Sequence, residues 1–190
     1  MPRAPAVAGN FYDAEASGLR ACVEAHLEHA RGAEPCAALG ILAPHAAYAY
    51  SGAVAARVYS RVVIPDTVIV LGPNHTGLGQ TASVSTDGPW AVPTGDVAID
   101  GDLASHLLNS CEDLSPDELA HSTEHGVEVQ LPFLLARNPA VRVVPICLRT
   151  MSFQMCECIG KALGQARQLS AHLPYLGLEG PKDCPHFSLS

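Results

Sequence analysis

Thr67 to Leu71 reads T-V-I-V-L, five apolar or β-branched residues without a break. Such a run, with no polar alternation, marks a strand covered on both faces. Upstream, Ala37 to Ala43 is a second short apolar run ended by Pro44, and Gly52 to Val62 between them carries Val54, Val58 and Tyr59 at helical spacing. A strand, a helix and a strand within about thirty residues have the size of a βαβ crossover. This unit constrains the chain more than anything else in it and points to an α/β layer structure.

The remaining pattern agrees. Asp13 and Glu15 open a helix-like stretch through about Ala30, closed by Gly32 and Pro35. Ala82–Ser85 and Val97–Ile99 flank a turn at Asp87-Gly88-Pro89 and predict a hairpin or a pair of strands. Asp102–Leu108 reads as a short helix, and Glu124–Arg137 as a longer one that Pro132 must kink or begin. Val141–Leu148 is another strand and Phe153–Leu169 another helix. Alternating strands and helices predict a mostly parallel central sheet with helices on both faces. After Leu169 the pattern stops. Residues 170–190 lack either period, and Pro174, Gly177, Gly180, Pro181 and Pro185 interrupt them. The division expected is a domain over 1–169 and an irregular tail over 170–190, with the fold incomplete at the C-terminus through truncation or a frameshift. Cys184 or His186 folding back to the site is the alternative.

Composition narrows the function. With 11 Lys and Arg against 19 Asp and Glu, the chain lacks the basic face of a nucleic-acid binder. No apolar window approaches a membrane span or a secretory signal, so a cytoplasmic protein is expected, with neither nucleic acid nor membrane as partner. The seven cysteines are odd in number and irregularly spaced, and Cys22, Cys36, Cys111, Cys147, Cys156 and Cys158 read as reduced thiols in or near the core.

Nine histidines are many for 190 residues. His45 follows the first central strand in A-P-H-A-A-Y, and His75 follows the second in L-G-P-N-H-T-G. Ligands of open α/β sheets bind outside the carboxyl ends of the strands. Neighbouring strands lie about 4.8 Å apart, so both imidazoles reach one ion if the two strands pair. A helix cap or turn contact is the plainer reading for either histidine alone. A third constellation, H-S-T-E-H-G-V-E, places His121, His125 and Glu128 on one face if it is helical. From spacing alone a solvated polar face is the plainer reading there. Beside a metal, such a histidine would serve as general acid or base. No G-x-S-x-G elbow or G-x-x-x-x-G-K-[ST] loop occurs.

Five ordered segments, A-V-A-G-N-F-Y at 6–12, P-H-A-A-Y-A-Y-S-G at 44–52, L-G-P-N-H at 71–75, W-A-V-P-T-G-D-V at 90–97 and E-H-G-V-E-V-Q-L-P-F-L at 124–134, resemble the Memo family, whose bacterial members are called AmmeMemoRadiSam system protein B. Asp13 and Ala47 depart from its usual Pro and Gly. The resemblance implies a class III extradiol dioxygenase-like fold, with His45 and His75 as metal ligands and His125 as the third active-site histidine. It implies iron(II), with copper or zinc as alternatives, and a redox or dioxygenase-like enzyme of unknown substrate. A non-catalytic binder of an anionic or phosphorylated peptide, or an inactive truncated member, are the alternative readings. The partners implied are a small molecule or peptide, with a functional link to AMMECR-type and radical SAM proteins.

Overall fold

The computed structural model describes residues 1–149 and 152–169. The expected tail over 170–190, with Cys184 and His186, lies outside the described residues.

The T-V-I-V-L run forms β1 (Thr67–Pro73), following α1 (Ala16–His29) and α2 (Tyr48–Tyr59). The middle of the chain supplies β2 (Ala82–Val84), β3 (Trp90–Val92), β4 (Gly95–Ile99), α3 (Gly101–Ser110) and β5 (Ser115–Pro116). A single 3-10 turn at Glu128–Gln130 leads into α4 (Leu131–Arg137), then β6 (Arg142–Leu148) and α5 (Phe153–Leu169). β6 is the hub. It pairs in parallel with β1 over seven residues, from Thr67 opposite Arg142 to Pro73 opposite Leu148. Its other edge is shared by β4, parallel at Arg142 and Val143, and β2, antiparallel at Ile146 to Leu148.

Alternation along these strands splits the core into two layers. Val70 and Val143 turn toward α1, α2 and α4, where Tyr48, Tyr59, Phe133 and Leu134 are buried with them. Ile69, Val144 and Ile146 turn toward α3 and α5, among Leu107, Ala162 and Ala166. Helices therefore cover both faces, which is why β1 and β6 are apolar beyond their first residues, Thr67 and Arg142, instead of alternating.

Several expectations change. Ala37–Ala43 is not a strand: its backbone makes no hydrogen bond among the described residues, and only Cys36, bridged to Val62, is tied down before it. Ala82–Ser85 and Val97–Ile99 both supply strands, as the second alternative had it, but they do not form a hairpin with each other. β4 takes β3 as its hairpin partner through a turn in which Gly95 has φ 147°, a backbone value that suits glycine, while β2 joins β6. The helix expected from Glu124 begins only at Leu131, with Pro132 in its first turn, where a missing N–H costs nothing. A fourth concerns the thiols. Docking of α5 on α3 brings the Cα atoms of Cys158 and Cys111 to 5.6 Å, and the two form a disulfide. Cys36 is disulfide-bonded as well, against the same expectation, whereas Cys22, Cys147 and Cys156 are free thiols.

Candidate metal centre

His75 leaves the end of β1, His45 precedes α2, and His125 sits on the loop before the 3-10 turn. The three rings converge. Centroids are 4.4 Å apart for His75 and His125, which stack, 5.2 Å for His45 and His75, and 5.9 Å for His45 and His125. One ring nitrogen from each lies within 4.8 Å of the others, a grouping able to hold a metal ion. The predicted pair thus meets, although not through neighbouring paired strands. His45 is carried by the irregular segment, whose end is fixed where Gln130 donates to the Pro44 carbonyl.

Glu124 builds the site from behind, and sequence reasoning passed over it. Its buried carboxylate accepts from the His75 backbone N–H at 2.6 Å and the His75 Nδ1 at 2.8 Å. It also accepts the N–H groups of His125 and Gly126 at 2.8 and 3.0 Å. An ionised carboxylate only accepts, so His75 donates from Nδ1 and Nε2 is the ring nitrogen left to face a ligand. The same oxygen stands 3.3 Å from His125 Nδ1. Burial raises the Glu124 carboxyl pKa, but the His75 ring and the three backbone N–H groups outweigh it and hold the group below its ordinary range. The signal available was the E-H pair itself, an acid beside a candidate ligand, which is how metal-binding imidazoles are commonly oriented.

Burial lowers the pKa of His45, with the neighbouring His75 adding to the effect against the opposing pull of Glu124. Burial likewise lowers that of His125. Both rings are therefore neutral near pH 7, the form that ligates. Phe11 packs on His125 at 4.7 Å and gives it an apolar wall.

His121, His125 and Glu128 do not share a helical face, because residues 121–127 are turn and loop. His121 is fully buried against Trp90 and interacts through Nε2 with the Ser83 carbonyl. Glu128, also fully buried, pairs with Arg3 at 2.6 Å and accepts from Tyr12 Oη and the backbone N–H of Ala6 and Val7. Arg3 further donates to the carbonyls of His121 and Glu124. These residues hold the first dozen residues against the His125 loop. Their role is architectural.

A mixed α/β sheet flanked by helices, with three imidazoles gathered beyond the carboxyl end of β1, defines a protein built around a histidine pocket. The chain matches the family model described as Memo-like protein over residues 3–172, and it belongs to the Memo family, whose fold is extradiol dioxygenase-like. It is 41% identical over 175 residues to a MEMO1 family protein of Methanopyrus kandleri, covering 86% of this chain and 62% of the relative. Similarity to MEMO1 family proteins of Aquifex aeolicus (41% over 167 residues, 86% and 61% covered) and Caldivirga maquilingensis (36% over 176 residues, 87% and 62%) is of the same extent. The chain spans about three-fifths of the length of these curated relatives. Among the described residues no helix is long and apolar enough to cross a membrane.

Proposed function

We propose that the pocket holds one metal ion through His45 and His75, with His125 beside it as the proton-handling residue, in a cytoplasmic metal-dependent redox enzyme acting on a small molecule. The observation that carries this reading is the approach of three imidazole nitrogens to within 4.8 Å of one another. The donor set fits: His45 and His125 are kept neutral, and Glu124 fixes the His75 tautomer. Imidazoles suit iron(II), copper and zinc alike, and the family fold favours iron(II). Such an ion supplies Lewis acidity and open coordination positions for substrate.

The chain's own residues do the rest. Glu124 holds two rings in register, so little reorganisation is needed on binding. His125, against Phe11 and with a ring nitrogen near those of the other two, would take or return a proton on a bound substrate. A metal-free site for an anionic or phosphorylated peptide is less well supported, because neutral rings and a buried carboxylate alone offer an anion no positive charge. On the family resemblance alone, we include the link to AMMECR-type and radical SAM proteins in the proposal.

The test is metal content, by plasma mass spectrometry, of protein purified without added metal and after anaerobic loading with Fe(II). Near-stoichiometric metal is expected in the wild type, with loss in His45→Ala and His75→Ala and retention in His125→Ala. No metal in the wild type after loading would overturn the reading. Equal loss in all three variants would make His125 a ligand. Oxygen uptake with catechol-type substrates separates an enzyme from a binder.

A further inference from the structure

Cys111 caps the C-terminus of α3, its N–H donating to the Leu107 carbonyl at 3.2 Å. The chain turns at once, with the Leu114 N–H on the Cys111 carbonyl at 3.1 Å, and the turn carries Asp113 back beside the helix end. Cys158 meets them from α5, where Ile159 and Ala162 are buried in the layer that also holds Ala104 and Leu107. A sulfur from each cysteine and a carboxylate oxygen of Asp113 all lie within 4.8 Å of one another.

The disulfide accounts for the two sulfurs but not for the carboxylate. Asp113 makes no side-chain hydrogen bond or ion pair among the described residues, and a disulfide offers it no proton. Two thiolates and a carboxylate, by contrast, are a donor set for a borderline-soft divalent ion such as zinc. Little movement separates the two states. Sulfurs on a tetrahedral zinc ion stand about 3.8 Å apart for bonds of about 2.3 Å. Cα atoms 5.6 Å apart allow that spacing by side-chain rotation alone. Cys158 is only half-buried, so a reductant can reach its sulfur, and reducing compartments keep such pairs as thiols.

We propose that reduction of the Cys111–Cys158 disulfide uncovers a metal site apart from the histidine pocket, in which both thiolates and the Asp113 carboxylate hold one zinc-like divalent ion between α3 and α5. A dithiol reductant of the thioredoxin class supplies the two electrons: its own sulfurs close to a disulfide, the Cys111–Cys158 bond breaks, and two thiols remain. Metal binding then displaces both thiol protons to solvent. Three protein donors leave the fourth tetrahedral position to water. The ion replaces the covalent tie, so α3 and α5 stay joined in either redox state. The site shares no ligand with the histidine pocket and is independent of whether that pocket binds metal.

The experiment titrates the full 190-residue chain with Zn(II) and Co(II), as oxidised protein and after reduction and anaerobic removal of the reductant. Reduced protein is expected to take one more equivalent of zinc than oxidised protein. It should also show the thiolate-to-cobalt charge-transfer band, which imidazole ligands do not give. Cys111→Ser and Cys158→Ser should each lose the band and the extra zinc while circular dichroism matches the wild type. Cys36→Ser should keep both, a needed control because reduction opens its bridge too. Asp113→Asn should still form the disulfide in air yet bind zinc at least about 10-fold more weakly, the lower bound for losing even a supporting partner of a metal site. Equal zinc in oxidised and reduced protein would overturn the proposal. So would a band that survives in Cys158→Ser and vanishes in Cys156→Ser, since the exposed neighbouring thiol would then be the ligand. Unchanged zinc affinity in Asp113→Asn would equally overturn it, by leaving the carboxylate without a part.

Discussion

Glu124 grips His75 at two points at once, backbone N–H at 2.6 Å and ring Nδ1 at 2.8 Å. A carboxylate that fixes both the main chain and the imidazole of one residue sets ring position and tautomer together. The pocket is thereby organised by a group that is itself buried behind the rings.

Replacing Glu124 by Gln keeps the shape but removes the charge and one acceptor. Metal affinity is expected to fall roughly 10–100-fold, the usual cost of losing an orienting partner. Competition with a fluorescent chelator measures it. Unchanged affinity would show that the grip has no bearing on binding.

Acid should act through two carboxylates. Glu124 lies below its ordinary value for the reasons above, and Asp117 does so because the N–H groups of Gln80, Leu119 and Ala120 and the Ser83 hydroxyl outweigh the effect of burial. A depressed folded pKa contributes stability that is present above the unfolded value and is lost as pH falls through the folded one. Urea midpoints should therefore be flat above the ordinary carboxyl range and fall beneath it. Asp117→Asn should shallow that decline.

Metal retention should respond to a different pH window. His45 and His125 sit below the ordinary imidazole value of 6.5, so protons compete only under that pH. Equilibrium dialysis should find occupancy level from pH 8 to 6.5 and falling below. A decline beginning above pH 7 would contradict the neutral state assigned to these rings.

Glu128→Ala should be the most damaging single change outside the two core layers. It strands the Arg3 guanidinium, whose side chain is 8% exposed, and orphans the Tyr12 hydroxyl. Breaking a buried pair from one side costs about 3–5 kcal/mol. Chemical denaturation would read it, with Glu128→Gln expected to recover part of the loss.

The disulfide closes a separation of 47 residues between α3 and α5. Bridges of that span contribute about 2–4 kcal/mol by restricting the unfolded chain. Cys158→Ser should lower the melting temperature under non-reducing conditions and have little effect in reductant, where the wild type should match it.

The sequence made β1, β6 and α5 legible because their apolar periods are long and unbroken. Trp90–Val92 was hidden: three residues between Pro89 and Pro93 are too few to show a period, and their partner Gly95–Ile99 seemed to belong to Ala82–Ser85. His45 and His75 were readable from their place after apolar runs. Glu128 was misread as part of a polar face because its partner, Arg3, is 125 residues away, and no local pattern carries such a distance. The same holds for Cys111 and Cys158, whose irregular spacing concealed a contact that only the docking of two helices creates.

β6 is the strand on which β1, β2 and β4 all depend, and it is the last of the six to be synthesised. β1 is complete at Pro73, while its partner begins at Arg142. At a translation rate of about 5–20 residues per second, β1 waits roughly 3–14 seconds outside the ribosome with neither edge paired. During that interval the strand leading to His75 is an extended apolar segment of the kind that holding chaperones bind. The order of strands along the chain thus leaves β1 without its partner until nearly all of the described sheet has been made.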